Sequence, residues 1–82
     1  MKIKAYREDV LAYLREHNLL KKWDKAIHFF ETNMRHPSLH TELLEPHWQG
    51  IYSFRIDRHY RALFFIDEEI IEVFKITKHY KK

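Results

Sequence analysis

The chain has 82 residues, a formal net charge of +3, 45% hydrophobic and 16% aromatic residues, one Gly and two Pro, which excludes a low-complexity chain and leaves room for one domain over residues 1–82. It contains no cysteine, so disulfides, thiolate nucleophiles and cysteine zinc sites are excluded together. No apolar run approaches a membrane span and Arg7, Glu8 and Asp9 interrupt any signal-like start, so the expected location is the cytoplasm.

Lys2 to Ala5 reads as a short opening strand. Helical spacing follows at Val10, Tyr13, Leu14 and His17, with Glu8 and Asp9 suited to the helix start and Asn18 suited to a left-handed end. Trp23, Ile27, Phe30 and Met34 share one face of a second helix, whose other face carries Lys21, Lys22, Asp24, Lys25 and Glu31. The short Asn18-Leu19-Leu20 link makes the two helices an antiparallel hairpin with one apolar side. Pro37 forbids continuation, so residues 36–41 form a connector.

After Gln49 the period changes to two. Tyr52, Phe54 and Ile56 alternate with Ser53 and Arg55, and Tyr60, Ala62, Phe64 and Ile66 alternate with Arg61, Leu63 and Phe65. If the first set of each strand faces the helices, Ile56 pairs with Tyr60 and the loop is Asp57-Arg58-His59, with Asp57 or His59 suited to a positive φ. The same register sets Arg55 opposite Arg61 on the far face. Like charges so placed repel, and they are relieved by solvent, by Glu42, Glu45 or Glu72, or by a bound phosphate gripped through the guanidinium forks. Asp67-Glu68-Glu69 makes the next turn, and Ile70 to Ile76 the last strand, whose two faces are equally apolar and leave its parity open. The expected fold is α+β: a helical hairpin packed on an antiparallel three- or four-stranded sheet, in the order (β)ααβββ.

Charge is unevenly placed. Lys and Arg outnumber Asp and Glu by 8 to 5 in residues 1–41 and balance at 7 to 7 in residues 42–82, so an anion site on the strands requires a local arrangement. His36 and His40 have i, i+4 spacing, but Pro37 breaks the helix that would align them, and no metal site or other cofactor is expected. No Gly-rich phosphate loop is present, against a nucleotide-dependent enzyme. Tyr52 and Tyr60 fall on the core parity, which leaves Trp48 as the aromatic for base stacking. Ile51, Leu63 and Phe65 would form an apolar patch beside the arginines that calls for a cover.

Gly50-Ile-Tyr-Ser-Phe-Arg-Ile56, Tyr60-Arg-Ala-Leu-Phe64, Arg35-His-Pro-Ser-Leu-His40 and the terminal His79-Tyr80 together resemble the RelE/ParE superfamily of toxins, nearest its YoeB-like and HigB-like branches. The resemblance runs from about Lys21 to Tyr80, and residues 1–20 fit in outline. It implies a toxin silenced by a cognate antitoxin, an endoribonuclease that cuts messenger RNA on the ribosome. By that resemblance Arg61 is the arginine that stabilises the scissile phosphate, Arg55 a basic residue on the preceding strand, His79 and Tyr80 a proton-transfer and stacking pair, and Lys78 a further basic position. The catalytic carboxylate is Glu42 by ungapped spacing from Gly50, or Glu45 by the Glu-Pro dipeptide. Lys81 and Lys82 extend beyond the His-Tyr pair that ends YoeB itself, and Glu45 lies near a position where relatives often carry lysine.

The chemistry is consistent with that resemblance. Attack by the RNA 2′-hydroxyl needs a base, an acid and cations at phosphorus; Glu42 or His79 suits the first, His79 or Tyr80 the second, and Arg61 with Arg55 the third. Arginine is a poor proton shuttle, so neither arginine takes that role. Two other readings use the same fold: a ParE-like inhibitor of DNA gyrase, and an inactive relative serving as an antitoxin-binding or operator-binding module.

Overall fold

The computed structural model describes residues 2–3 and 7–78. Strand β1 (Lys2–Ile3) is followed by helices α1 (Glu8–Glu16) and α2 (Leu20–Thr32), then by strands β2 (Glu42–Leu43), β3 (Tyr52–Arg55), β4 (Tyr60–Asp67) and β5 (Ile70–Lys78). Short 3-10 turns at Pro37–Leu39 and His47–Gln49 flank β2.

Helix α1 opens on Glu8 and Asp9 and closes near Arg15, an order that complements its dipole. Val10 and Leu14, four apart, are its buried residues. Asn18 is left-handed, with φ 54°, and returns the chain so that Leu19 N donates to Leu14 O at 2.8 Å. Helix α2 buries Trp23, Ala26, Ile27 and Phe30. It stops before Met34, which packs on the core from the loop. The stop is local: the Asn33 side-chain oxygen accepts from Arg35 N at 3.0 Å, and Thr41 Oγ1 donates to Met34 O at 2.7 Å.

The sheet has five strands in the order β1-β5-β4-β3-β2. Strands β3 to β5 are antiparallel, as expected; the opening strand β1 also joins the sheet, but parallel to β5 at its edge. No hairpin constrains β1, since the helical pair and the other strands lie between it and its neighbour. Residues 42–43, which follow the expected connector and carry no predicted element, add an antiparallel strand β2 along the β3 edge and bring the sheet to five strands. A two-residue strand with both side chains exposed has no alternation to read.

The expected register is observed: Phe54 faces Ala62, Tyr52 faces Phe64, and Arg55 faces Arg61. Ile56 N donates to Tyr60 O at 2.9 Å, closing the loop at residues 57–59. Neither Asp57 nor His59 takes a positive φ, contrary to the expectation. Instead the Asp57 carboxylate accepts from His59 N at 2.8 Å and from Tyr60 N at 2.9 Å, so a side chain closes the turn in place of a left-handed residue.

Strand β5 owes its ambiguous parity to a bulge. Phe64 pairs with Val73 and Leu63 with Lys75, which leaves Phe74 as an extra residue. Ile71 and Val73 are buried before the bulge and Ile76 after it, an odd spacing that no single alternation accommodates. The core between helices and sheet centres on Phe54, whose ring lies 5.7 Å from Trp23, 4.9 Å from Phe30 and 5.6 Å from Phe64.

Candidate functional site

The helix-free face of the sheet carries two cross-strand rows. Glu42, Ser53, Leu63 and Lys75 form one, and Arg55, Arg61 and Thr77 the next. An arginine on the middle of this face can reach the first row, and Arg61 does so.

Arg61 Nε donates to Ser53 Oγ at 3.1 Å, and its Nη2 donates to His40 O at 2.7 Å. The same Nη2 lies 3.7 Å from Glu42 Oε1. Only 14% of the Arg61 side chain is exposed, against 60% for Glu42. Ser53 is buried at 1% exposure, with its hydroxyl engaged by the guanidinium. The guanidinium is therefore held on two sides, and the two bonds use only two of its five N–H donors. Burial lowers the Arg61 pKa from its ordinary value; the Glu42 charge opposes that shift and the Arg55 charge adds to it. Arginine remains a cation after such a shift. A partly desolvated, fixed cation beside a second cation is arranged to receive an anion.

Arg55 is pinned differently. Its Nε donates to Asp57 O at 3.3 Å, which draws the side chain toward the β3–β4 loop. Glu42 lies beside Arg61, in the row of Ser53. Glu45 is exposed in the segment after β2, just before Pro46. Of the two carboxylates, Glu42 is the one within ion-pair distance of the arginine.

Trp48 is 82% exposed in the His47–Gln49 turn, which ends at the left-handed Gly50. An indole that open is a platform for a base or a partner. Lys78 pairs with Tyr60, whose ring lies 6.1 Å from Tyr13 and 5.6 Å from His17 on the helical side, so the register sets Lys78 apart from the Arg55–Arg61–Thr77 row. His79 and Tyr80 lie outside the described residues.

Two contributors are absent from the reading of the sequence. Ser53 carried a signal, as the one hydroxyl residue alternating with aromatics on β3 and two places before Arg55. The His40 carbonyl carried none, because it is a backbone group presented by a left-handed residue, φ 46°, at the end of the Pro37–Leu39 turn. The apolar residues expected beside the arginines are half-buried, with Phe65 5.5 Å from the bulged Phe74.

No protein-family model and no curated protein sequence matches this chain. Solved structures do. A YoeB/ParE toxin from Agrobacterium tumefaciens superposes with a TM-score of 0.70 at 17% identity, covering 98% of this chain and 100% of that one. YoeB in a heterotetrameric YoeB-YefM toxin-antitoxin complex from Staphylococcus aureus superposes at 0.68 and 20% identity, covering 95% of each chain. The YoeB dimer of the same organism gives 0.68 and 20%, covering 96% and 94%. The chain shares the fold of these toxins over its full length.

Proposed function

We propose, for a chain with the YoeB/ParE toxin fold, that it is the toxin of a toxin-antitoxin pair and acts as a ribosome-dependent endoribonuclease that cleaves messenger RNA by 2′-hydroxyl attack. The observation that carries the reading is the fixed Arg61 guanidinium, held by Ser53 and the His40 carbonyl, with Glu42 at 3.7 Å and Arg55 directly across the strand pair. The likeness to YoeB-YefM complexes supports an antitoxin as its protein partner.

In this mechanism the Arg61 fork binds a non-bridging oxygen of the scissile phosphate, with Arg55 sharing the charge. Glu42 takes the proton of the 2′-hydroxyl as its oxygen attacks phosphorus. The bond from phosphorus to the 5′-oxygen breaks, and His79, or Tyr80 next to it in sequence, returns a proton to that oxygen. The products are a 2′,3′-cyclic phosphate and a 5′-hydroxyl. Each role is met by a side chain, with no cofactor or metal required. Glu45 and Lys78 take outer positions along the strand path, and Trp48 offers a stacking surface for a base.

The test is induction of the chain in growing cells, read by mapping cuts within translated messages. The intact chain halts translation and produces cuts; Arg61→Ala and His79→Ala each lower cleavage by about a hundredfold or more. Intact messages with DNA damage would assign the fold to gyrase inhibition instead, and survival with neither effect would leave a binding module.

A further inference from the structure

Beyond the Arg61 site, two adjoining hollows, the larger about 480 Å³, lie between α2, the Pro37–Leu39 turn and the β3–β4 loop. They share Lys22, Ser38 and Arg55; Lys25 lines one, and Arg58 and His59 line the other. Together they make one basic cleft. Its four Lys and Arg residues, Lys22, Lys25, Arg55 and Arg58, accompany the single carboxylate of Asp57, a local excess of +3. That equals the formal charge of the whole chain, +3, so this cleft by itself matches the chain's net basic character.

The Asp57 carboxylate is already committed: one oxygen accepts from the amides of His59 and Tyr60, and the other from Lys22 Nζ at 2.9 Å. Lys25, Arg55 and Arg58 have no carboxylate partner among the described residues. Arg55 forms a wall of the cleft and is also the cross-strand neighbour of Arg61. One continuous phosphate backbone can therefore engage both places.

We propose that this cleft is a second phosphate subsite, which holds the backbone of a single RNA strand at a position beyond the cut. This rests on the nuclease reading and adds the path of the substrate to it. Trp48 is exposed in the turn that precedes β3, whereas Arg55 ends that strand beside the cleft. A regularly spaced phosphate backbone carries its charge and its bases together, which suits a basic cleft and an exposed indole on the same molecule.

The probe is a fluorescent single-stranded oligonucleotide with 2′-deoxy sugars, which 2′-hydroxyl attack cannot cut; anisotropy is recorded across a salt series. Lys25→Ala/Arg58→Ala weakens binding by about tenfold and lowers the slope of log K against log salt by about 1.4. Arg15→Ala/Lys21→Ala removes the same charge from exposed sites off the cleft and stays within about twofold of the parent. The Lys25→Gln/Arg58→Gln variant, which keeps a polar side chain at both positions and helix propensity at Lys25, gives the same loss, so misfolding is not the cause. Equal affinity and slope in the cleft and control variants overturns the proposal. So does displacement of the oligonucleotide by polyglutamate at equal charge concentration, which would assign the cleft to an acidic protein segment. Because the probe is uncuttable, the binding result stands apart from the message-cutting assay: cleft binding without cuts removes the nuclease and leaves the subsite.

Discussion

Asp57 is the residue on which the β3–β4 loop turns. Burial by itself would raise its pKa, but the hydrogen bonds from Lys22, His59 and Tyr60 and the Lys22 charge outweigh it, so the carboxyl titrates below its ordinary 3.8. A depressed carboxyl pKa means that the folded state prefers the anion. Its contribution is complete above that ordinary, unfolded value and is lost as pH falls through the lower folded value. Asp57→Asn keeps the acceptor for the two amides and loses the Lys22 pair, at a cost of about 1 kcal/mol at neutral pH. Denaturant melts between about pH 4 and pH 2 should therefore be flatter for the variant than for the parent. Equal steepness would show that Asp57 does not carry the acid sensitivity.

Among the elements, β5 is where a local irregularity decides a global alignment. The extra residue at Phe74 lets Ile71, Val73 and Ile76 all reach the core, and it returns Thr77 to the row of Arg61. Excising Phe74 brings the pairs Phe64–Val73 and Leu63–Lys75 into direct succession, as in a regular ladder, so the register on both sides survives. The shortened chain should fold with an unchanged far-UV circular dichroism spectrum. It should lose about 1–2 kcal/mol with the Phe65–Phe74 contact, a partial aromatic burial. Excising Leu63 from β4 instead puts every later residue of that strand on the wrong face, and it should not give a cooperative thermal transition. Similar unfolding curves for the two deletions would refute this account of the bulge.

At the scale of the whole molecule, one aromatic cluster joins the helices to the sheet. An 82-residue chain has a total stability of about 4–12 kcal/mol at 0.05–0.15 kcal/mol per residue. Phe54→Ala, which opens a cavity among Trp23, Phe30 and Phe64, costs about 3–5 kcal/mol of it. Calorimetry should show Tm lowered by roughly 20 °C. A drop below about 5 °C would mean that the cluster relaxes around the gap and is not the keystone of the fold. Such a margin also suits a site on the sheet: Arg61 and Arg55 rise from strands that the core already holds, and only two backbone carbonyls, of His40 and Asp57, are added to orient them.

The sequence by itself determined the helical hairpin, the turn at Asn18, the β3–β4 register and hence the facing of Arg55 and Arg61. These follow from periodicities of 3.6 and 2 and from short connections, all local properties that a chain displays before it folds. Tertiary structure decided the rest. Strand β2 and the parallel β1 exist because a neighbouring edge offers backbone partners, and two residues carry no pattern of their own. The bulge at Phe74 reconciles two apolar faces that the sequence left tied, and only the partner strand selects its position. Glu42 rather than Glu45 reaches Arg61, and Ser53 and the His40 carbonyl hold it, because the sheet edge brings those groups within hydrogen-bond or ion-pair range. The basic cleft is likewise a product of folding: its cations come from α2 on one side and β3 with its loop on the other, segments more than 25 residues apart that meet only when the hairpin docks on the sheet.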